Sequence, residues 1–365
     1  MNMSKLFTVS APGRICLFGE HQDYLGLPVI AAAISLRLRI IGRTISSPQV
    51  RIALPDINQQ EIFDLQTEIP YKNKRDYYKS VLNLMQREGA TFPNGFEVSL
   101  TSTIPINAGT SSSSAMVVAW AYFLSQMANP PFSKSALALA DLAYRAEVEE
   151  FGEPGGRMDQ TSISVGNVIY LESQPTPRVE AIKPISGTFV LGDSQQAKDT
   201  LGVLKHVKYG MLEAMRKIKA FDSEFSLHTY PSERAEAYKH LLTEDEYTLF
   251  TGNLSDRDIL VQAKNLLQQA VPDPIQFGAL LNQHQRNLRD AKRISTPKID
   301  RMIDASLKAG ALGAKINGSG GGGCMFAYAP NHAEEVAAAI EQEGGKAYII
   351  TIDEGVRTEK VLENV

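Results

Sequence analysis

Three clusters of small and polar residues, set far apart between apolar runs, constrain this chain more than any other feature. They are APGR and GEHQDY within residues 11–24, NAGTSSSSAM at 107–116 and INGSGGGGCM at 316–325. One such string alone is most often a flexible turn. Three of them, each between regular elements, point to loops gathered around one ligand. In the second cluster Gly109 lets backbone approach a ligand closely, and Thr110, Ser111, Ser112, Ser113 and Ser114 run into a stretch of helical length and composition, 112–128. The free N–H groups and positive dipole end of a helix start favour an anion. The Gly-Lys-Ser/Thr ending of a Walker loop is missing, so a phosphate cradle here is of another type, and a plain serine-capped helix start is the alternative. In the third cluster, residues 318–323 separate strand-like 313–316 from strand-like 324–329. A hairpin needs only one or two glycines. The excess implies backbone packed on a ligand or on another loop, with a flexible linker as the alternative.

Two carboxylates can complete a reaction centre. Glu147 lies near the end of a helix, and Asp159 lies in PGGRMDQTS, a Gly-rich turn. Phosphoryl transfer needs a metal held by oxygen and a carboxylate that orients or accepts the proton of the attacking hydroxyl. Each residue also has a bland reading, Glu147 as part of a solvated face and Asp159 as a cap. Arg14, Glu20, His21, Asp23 and Tyr24 pack five hydrogen-bonding side chains into eleven residues. Such a set suits a polyhydroxylated ligand, the alternative being a capped turn with a structural Arg–Glu pair.

A length of 365 residues favours two domains. Strands are expected at 6–9, 29–34, 36–41, 96–100 and 167–171, with Ser133 capping a helix that runs to Glu150. The Pro/Ser-rich stretch 173–187 is taken as the boundary between domains 1–180 and 181–365. The second half opens with a strand at 188–193, continues through charged helices expected to form an exposed bundle, and closes with strand 324–329, helix 332–343 and strand 347–352. Strands and helices mix without regular βαβα alternation, so the fold class is α+β.

Composition removes other classes of function. No apolar run approaches the ~20 residues of a membrane span, and the net charge of −4 with scattered basic residues leaves no footprint for nucleic acid. The opening residues carry neither a secretory signal nor an Arg-rich transit pattern, and Cys16 and Cys324 lack paired metal or redox spacing. A cytoplasmic protein with buried thiols, no membrane role and a monomeric or weakly dimeric state is expected.

At this point the sequence resembles the GHMP kinases, the galactokinases in particular. APGRICLFGEHQDYLG resembles the galactokinase signature, PINAGTSSSSA the second family motif, GGRMDQTSISVGN the segment with the catalytic aspartate, and GAKINGSGGGGC the glycine-rich third motif. The four lie in family order. The resemblance implies an N-terminal domain like ribosomal protein S5 domain 2 and a ferredoxin-like C-terminal domain with the active site between them. It implies ATP and Mg²⁺, with Gly109, Thr110, Ser111, Ser112, Ser113, Ser114, Gly320 and Gly321 at the nucleotide and Ser113 and Glu147 as metal ligands. Asp159 becomes the base or positioner and Arg14 its partner, and Glu20, His21, Asp23 and Tyr24 bind the sugar. The implied reaction is phosphorylation of a sugar hydroxyl, the anomeric C1 hydroxyl of galactose or a galactose-like sugar. Another branch, acting on mevalonate, homoserine or a heptose phosphate, is the alternative, followed by a sugar/ATP sensor without catalysis.

The chain departs from galactokinases around the sugar and the base. It reads Gln22, Asp23, Tyr24, Leu25 where they read Thr-Asp-Tyr-Asn, and it has Lys74 at the position of their adenine-flanking Trp. Their sugar-contacting Tyr, about a dozen residues past the strand ending at 193–194, meets Leu204, Lys205 and His206 here.

Overall fold

The computed structural model describes residues 6–106, 108–174, 176–198, 202–203 and 205–359. Asn107 and Leu204, both singled out above, lie outside them. Strands β1 (Phe7–Phe18), β2 (Val29–Ile45), β3 (Gln49–Leu54) and β4 (Gln59–Asp64) are followed by helix α1 (Tyr77–Arg87) and strand β5 (Gly95–Ser102). Helices α2 (Ser112–Met127), α3 (Ala136–Tyr144) and α4 (Met158–Val165) come next, then strands β6 (Val168–Glu172), β7 (Arg178–Ile182) and β8 (Phe189–Asp193). The rest holds helices α5 (Gly210–Phe221), α6 (Glu244–Leu267), α7 (Pro274–Arg286) and α8 (Pro297–Lys308), strands β9 (Gly313–Ile316) and β10 (Cys324–Tyr328), helix α9 (Ala333–Gln342), and strands β11 (Lys346–Ile350) and β12 (Arg357–Glu359).

Two sheets organise these elements. The larger runs β12-β1-β2-β5-β3-β4, with β6 and β7 added beside β2, and the smaller runs β11-β8-β10-β9. Helix α2 is apolar on nearly every side, so it can only be interior. It buries Val117, Trp120, Phe123 and Leu124 against the first sheet, and Trp120 Nε1 satisfies its one donor on Tyr78 O at 3.0 Å. Both cysteines are free and buried. No described helix is long and apolar enough to cross a membrane.

Several local expectations change. The Gly/Pro break after residue 9 does not end a strand: β1 continues through it with a register shift at Pro12/Gly13. A Cβ on Gly13 would lie 3.1 Å from Thr110 O, and the neighbouring Arg14 N–H donates to that same carbonyl at 3.2 Å. The irregularity therefore admits the serine loop. The two apolar runs at 29–34 and 36–41 merge into the 17-residue β2. The cap of α3 is Ser135, whose hydroxyl accepts from Ala138 N–H, and not Ser133. The stretch 173–187 contains β7, paired with β6, and the chain passes to the second sheet between Ile182 and Phe189. Strand β12 returns to β1, and the segment before it is held by the buried Arg37, which donates to Asp353 and to the carbonyls of Glu354 and Gly355. The helices of the second half are not merely an exposed bundle, because α6 buries Leu249, Phe250, Leu254 and Leu260 along with Asn253 and Asp256.

Candidate active site

The serine loop meets its helix in an unusual way. Ser111 sits at the N-cap of α2 with φ +59 and makes no side-chain cap. Its hydroxyl instead donates to Asp159 Oδ2 at 2.6 Å. The first N–H groups of α2 are thus left to an anion rather than to a serine oxygen. The serine-capped alternative is set aside by this geometry. Gly109, at φ +92, is required on steric grounds, since a Cβ there would stand 2.7 Å from Asn317 O.

Asp159 is carried on the first turn of α4. Arg14 Nε donates to its Oδ1 at 2.8 Å, while Arg14 Nη1 donates to Gly109 O, so one guanidinium ties the carboxylate to the serine loop. Burial alone would raise the Asp159 pKa, but Arg14, the Ser111 hydroxyl and Lys198 outweigh it and hold the carboxyl below its usual range. Asp159 is ionised at neutral pH. Lys198 lines the same cleft and is pushed below the usual lysine range by burial and by Arg14.

Glu147 stands in a wider five-residue turn, Arg145–Glu149, that continues α3. Such π-type turns re-aim a side chain and are frequent at functional sites. Glu147 is 7 % exposed, and its carboxyl accepts from Gln160 Nε2 at 2.7 Å. Burial pushes its pKa up, opposed by bonds with Gln160, Ser114 and Ser113. It is not part of a solvated helix face.

The turn after β1 forms the opposite wall. His21, at φ +62, bonds Tyr24 Oη through Nδ1 at 2.8 Å and Ser319 O through Nε2 at 3.0 Å. Burial and the nearby lysines lower its pKa to about 3, so the ring is neutral: Nε2–H donates to the carbonyl and Nδ1 accepts from the phenol. Asp23 presses on Gly156, where a Cβ would fall 1.7 Å from Oδ2, so a side chain there would displace the Asp23 carboxyl. Burial and Asp159 raise the Asp23 carboxyl to about 6. Glu20 is 1 % exposed and paired with Lys315.

A cleft of about 740 Å³ joins these groups, lined by Arg14, Glu20, His21, Asp23, Tyr24, Ser113, Ser114, Glu147 and Asp159. Gly109, Thr110, Ser111 and Ser112 stand behind or beside that lining. The glycine loop serves the site from below. Gly318 and Gly323 pack on Gly109 and Ala108, while Gly320 packs on Ile294 and Gly321 N–H donates to Ile294 O at 2.7 Å. Gly318 and Ser319, not Gly320 and Gly321, face the cleft. Lys198, Gln160, Gly156 and Asn317 were missed in the sequence. Gln160 and Gly156 lie in the same motif as Asp159 and Asn317 in the glycine-rich third cluster, so of the four only Lys198 carried no signal. Asn317 accepts from Cys16 N–H and donates to Gly109 O, both at 2.9 Å, a role that depends on distant backbone.

The arrangement pairs an anion-binding helix start with an ionised carboxylate and a polar pocket, which is the equipment of a phosphotransferase. Comparison with known proteins agrees. The model for the GHMP kinases N terminal domain matches residues 76–167, that for GHMP kinases C terminal matches 263–347, and the galactokinase galactose-binding signature matches 2–44. A mevalonate kinase of Thermococcus gammatolerans is 30% identical over 97% of this chain and 98% of its own. A galactokinase of Pasteurella multocida is 28% identical over 97% and 95%. The galactokinase of Lactococcus lactis, solved with galactose, superposes with a TM-score of 0.84 at 22% identity, covering 97% of this chain and 95% of that one. The Methanococcus jannaschii mevalonate kinase gives 0.73 at 19%, covering 97% and 99%. The chain belongs to the GHMP kinase family and has its two-domain α+β fold. It is a kinase of a small molecule, and the family implies ATP as phosphoryl donor.

Proposed function

We propose that this kinase phosphorylates a hydroxyl of a neutral, galactose-like sugar, at its anomeric C1 position. The observation that carries the reading is the charge of the cleft. Five carboxylates line it, Glu20, Asp23, Glu147, Glu153 and Asp159, against the cations Arg14, Arg75 and Lys198. Arg14 is paired with Asp159 and Arg75 with Glu153, each at 2.8 Å, and Glu20 with Lys315 behind the cleft, which among the described residues leaves Asp23 and Glu147 without an ion pair of their own. An acceptor bearing its own carboxylate, such as mevalonate or a uronic acid, meets repulsion there, whereas vicinal hydroxyls find acceptors in Asp23 and Glu20 and a polar edge at His21 and Tyr24. The match of the galactose-binding signature over this turn supports the same acceptor.

Asp159 accepts the proton of the attacking hydroxyl as the oxygen approaches the terminal phosphorus of ATP, and the phosphorus–oxygen bond to ADP breaks. Arg14 fixes that carboxylate, and with Lys198 it faces the charge on the transferring group. The N–H groups at the start of α2 bind phosphate oxygens. Among the described residues no set of three or more His, Cys, Asp or Glu could hold a metal. A single buried Glu147 beside Ser113 nevertheless suits Mg²⁺, which takes one or two protein oxygens and completes its shell with phosphates and water. When bound, Mg²⁺ would neutralise the phosphate charge. Glu147→Gln is expected to raise the half-saturating Mg²⁺ concentration about 10-fold. An unchanged titration would remove Glu147 from the metal site.

The Asp23 carboxyl also predicts a pH dependence. With its pKa raised to about 6 by burial and Asp159, it is ionised above that value and accepts hydroxyls, and protonated below it. The KM for sugar should rise as pH falls through 6 while the KM for ATP stays level, and Asp23→Asn should remove this limb. The reading as a whole is tested by ³¹P NMR of the product from galactose and Mg-ATP. A doublet from an anomeric phosphate supports it, and a phosphate on any other carbon, or none, contradicts it.

A further inference from the structure

Behind the sugar wall, Glu20 of that wall joins a cluster of ionisable groups that do not line the cleft. Glu20 pairs with Lys315, and Asp256 of α6 lies 2.8 Å from Lys292 Nζ, all four side chains at most 1 % exposed. His284 of α7 stands between the carboxylates, Nδ1 3.8 Å from Glu20 Oε2 and Nε2 3.8 Å from Asp256 Oδ2, with its ring stacked on Phe18 at 5.9 Å. Burial, with the lysines adding, holds His284 neutral. Two direct ion pairs thus flank a neutral ring.

Such a cluster is a poor way to stabilise a core. Removing ions from water is costly, and apolar side chains of similar volume often do as well or better. The cluster's outward bonds reach the end of β1 and the turn after it, and α6 adds a further bond to that turn. Lys292 Nζ donates to Glu20 O at 2.9 Å, Lys315 Nζ to Cys16 O at 3.0 Å as well as to the Glu20 carboxylate, and Gln22 Nε2 reaches Asn253 O at 3.4 Å. Between Glu20 and Gln22 sits His21, the left-handed residue of the turn. A non-glycine residue in that conformation persists only where its surroundings over-determine it. The turn belongs to the first sheet by sequence, yet α6, α7 and the segment after α7 hold it.

We infer that Lys292, Asp256 and His284 are positioning residues for the acceptor pocket: a buried, charge-balanced cluster in the helical layer fixes the turn that presents Glu20, His21, Asp23 and Tyr24. This rests on the reading of that turn as the acceptor wall. It extends that reading by making acceptor affinity depend on residues that do not touch the acceptor.

The test is the charge-balanced double variant Lys292→Met with Asp256→Asn, assayed with whichever acceptor the wild type turns over. The melting temperature confirms a folded enzyme. The KM for the acceptor should rise at least 10-fold while the KM for ATP stays within twofold. A merely structural cluster would move both constants together or neither, and either result overturns the inference. Asn287→Ser provides a milder variant should the double variant not fold. It removes one donor to Asp256 Oδ1, a bond of 2.8 Å, and should raise the acceptor KM about threefold with ATP again unaffected; no change in either constant overturns the inference. Acceptor identity is judged on the wild type alone, so a preference for mevalonate would refute the sugar reading without touching this ratio.

Discussion

Asp159→Asn is expected to lower kcat by about 10³-fold while leaving the KM for ATP within twofold. The amide keeps the size of the carboxylate but cannot take the acceptor's proton. It also presents an NH₂ or a weaker acceptor to Arg14 Nε and Ser111 Oγ, which now bond its two oxygens. The nucleotide touches neither of those oxygens in this account, so ATP binding should survive. Steady-state kinetics with Mg-ATP decide the matter, and a kcat within a few-fold of wild type would remove Asp159 from the chemistry.

Arg14→Met carries the second largest effect. Arg14 joins Asp159 to Gly109 O and lines the cleft, and in the proposed reaction it faces the transferring group, so its loss should lower kcat by about 10²-fold. The pH profile distinguishes its two roles. Burial already pushes the Asp159 carboxyl up, and Arg14 is the largest opposing influence, so without it the carboxyl pKa rises. Activity needs the ionised form. The acid limb of kcat should therefore move to higher pH in the variant, with full activity reached only above the shifted value. A lower plateau with an unmoved limb would confine Arg14 to the phosphate.

The four motifs along β1, the serine loop, α4 and the glycine loop were legible because each compresses its chemistry into a few neighbouring residues. The structure brings Arg14, Asp159, Ser113, Glu147 and the turn 20–24 to one cleft. What was not legible depends on partners far along the chain. The Gly/Pro signal at residues 12–13 marks a bulge inside a strand, since the nearby contact is Thr110, almost a hundred residues away. Asp256, His284 and Lys292 read as ordinary charges on amphipathic helices. Their burial follows only from docking on the end of β1 and the turn after it, where they meet Phe18 and Glu20. Gly320 and Gly321 share the composition of Gly318 but face Ile294, a difference that loop geometry sets and composition does not.

Relatives named for mevalonate and for galactose both resemble this chain along nearly its whole length, so the cleft must decide between acceptors. In the reading proposed above, its carboxylates favour hydroxyls over an acid. The most direct measurement is kcat/KM for galactose against mevalonate at saturating Mg-ATP, followed by ADP release. The account predicts a ratio on the order of 10³ or more in favour of galactose. A ratio below one, with mevalonate the better acceptor, would contradict it.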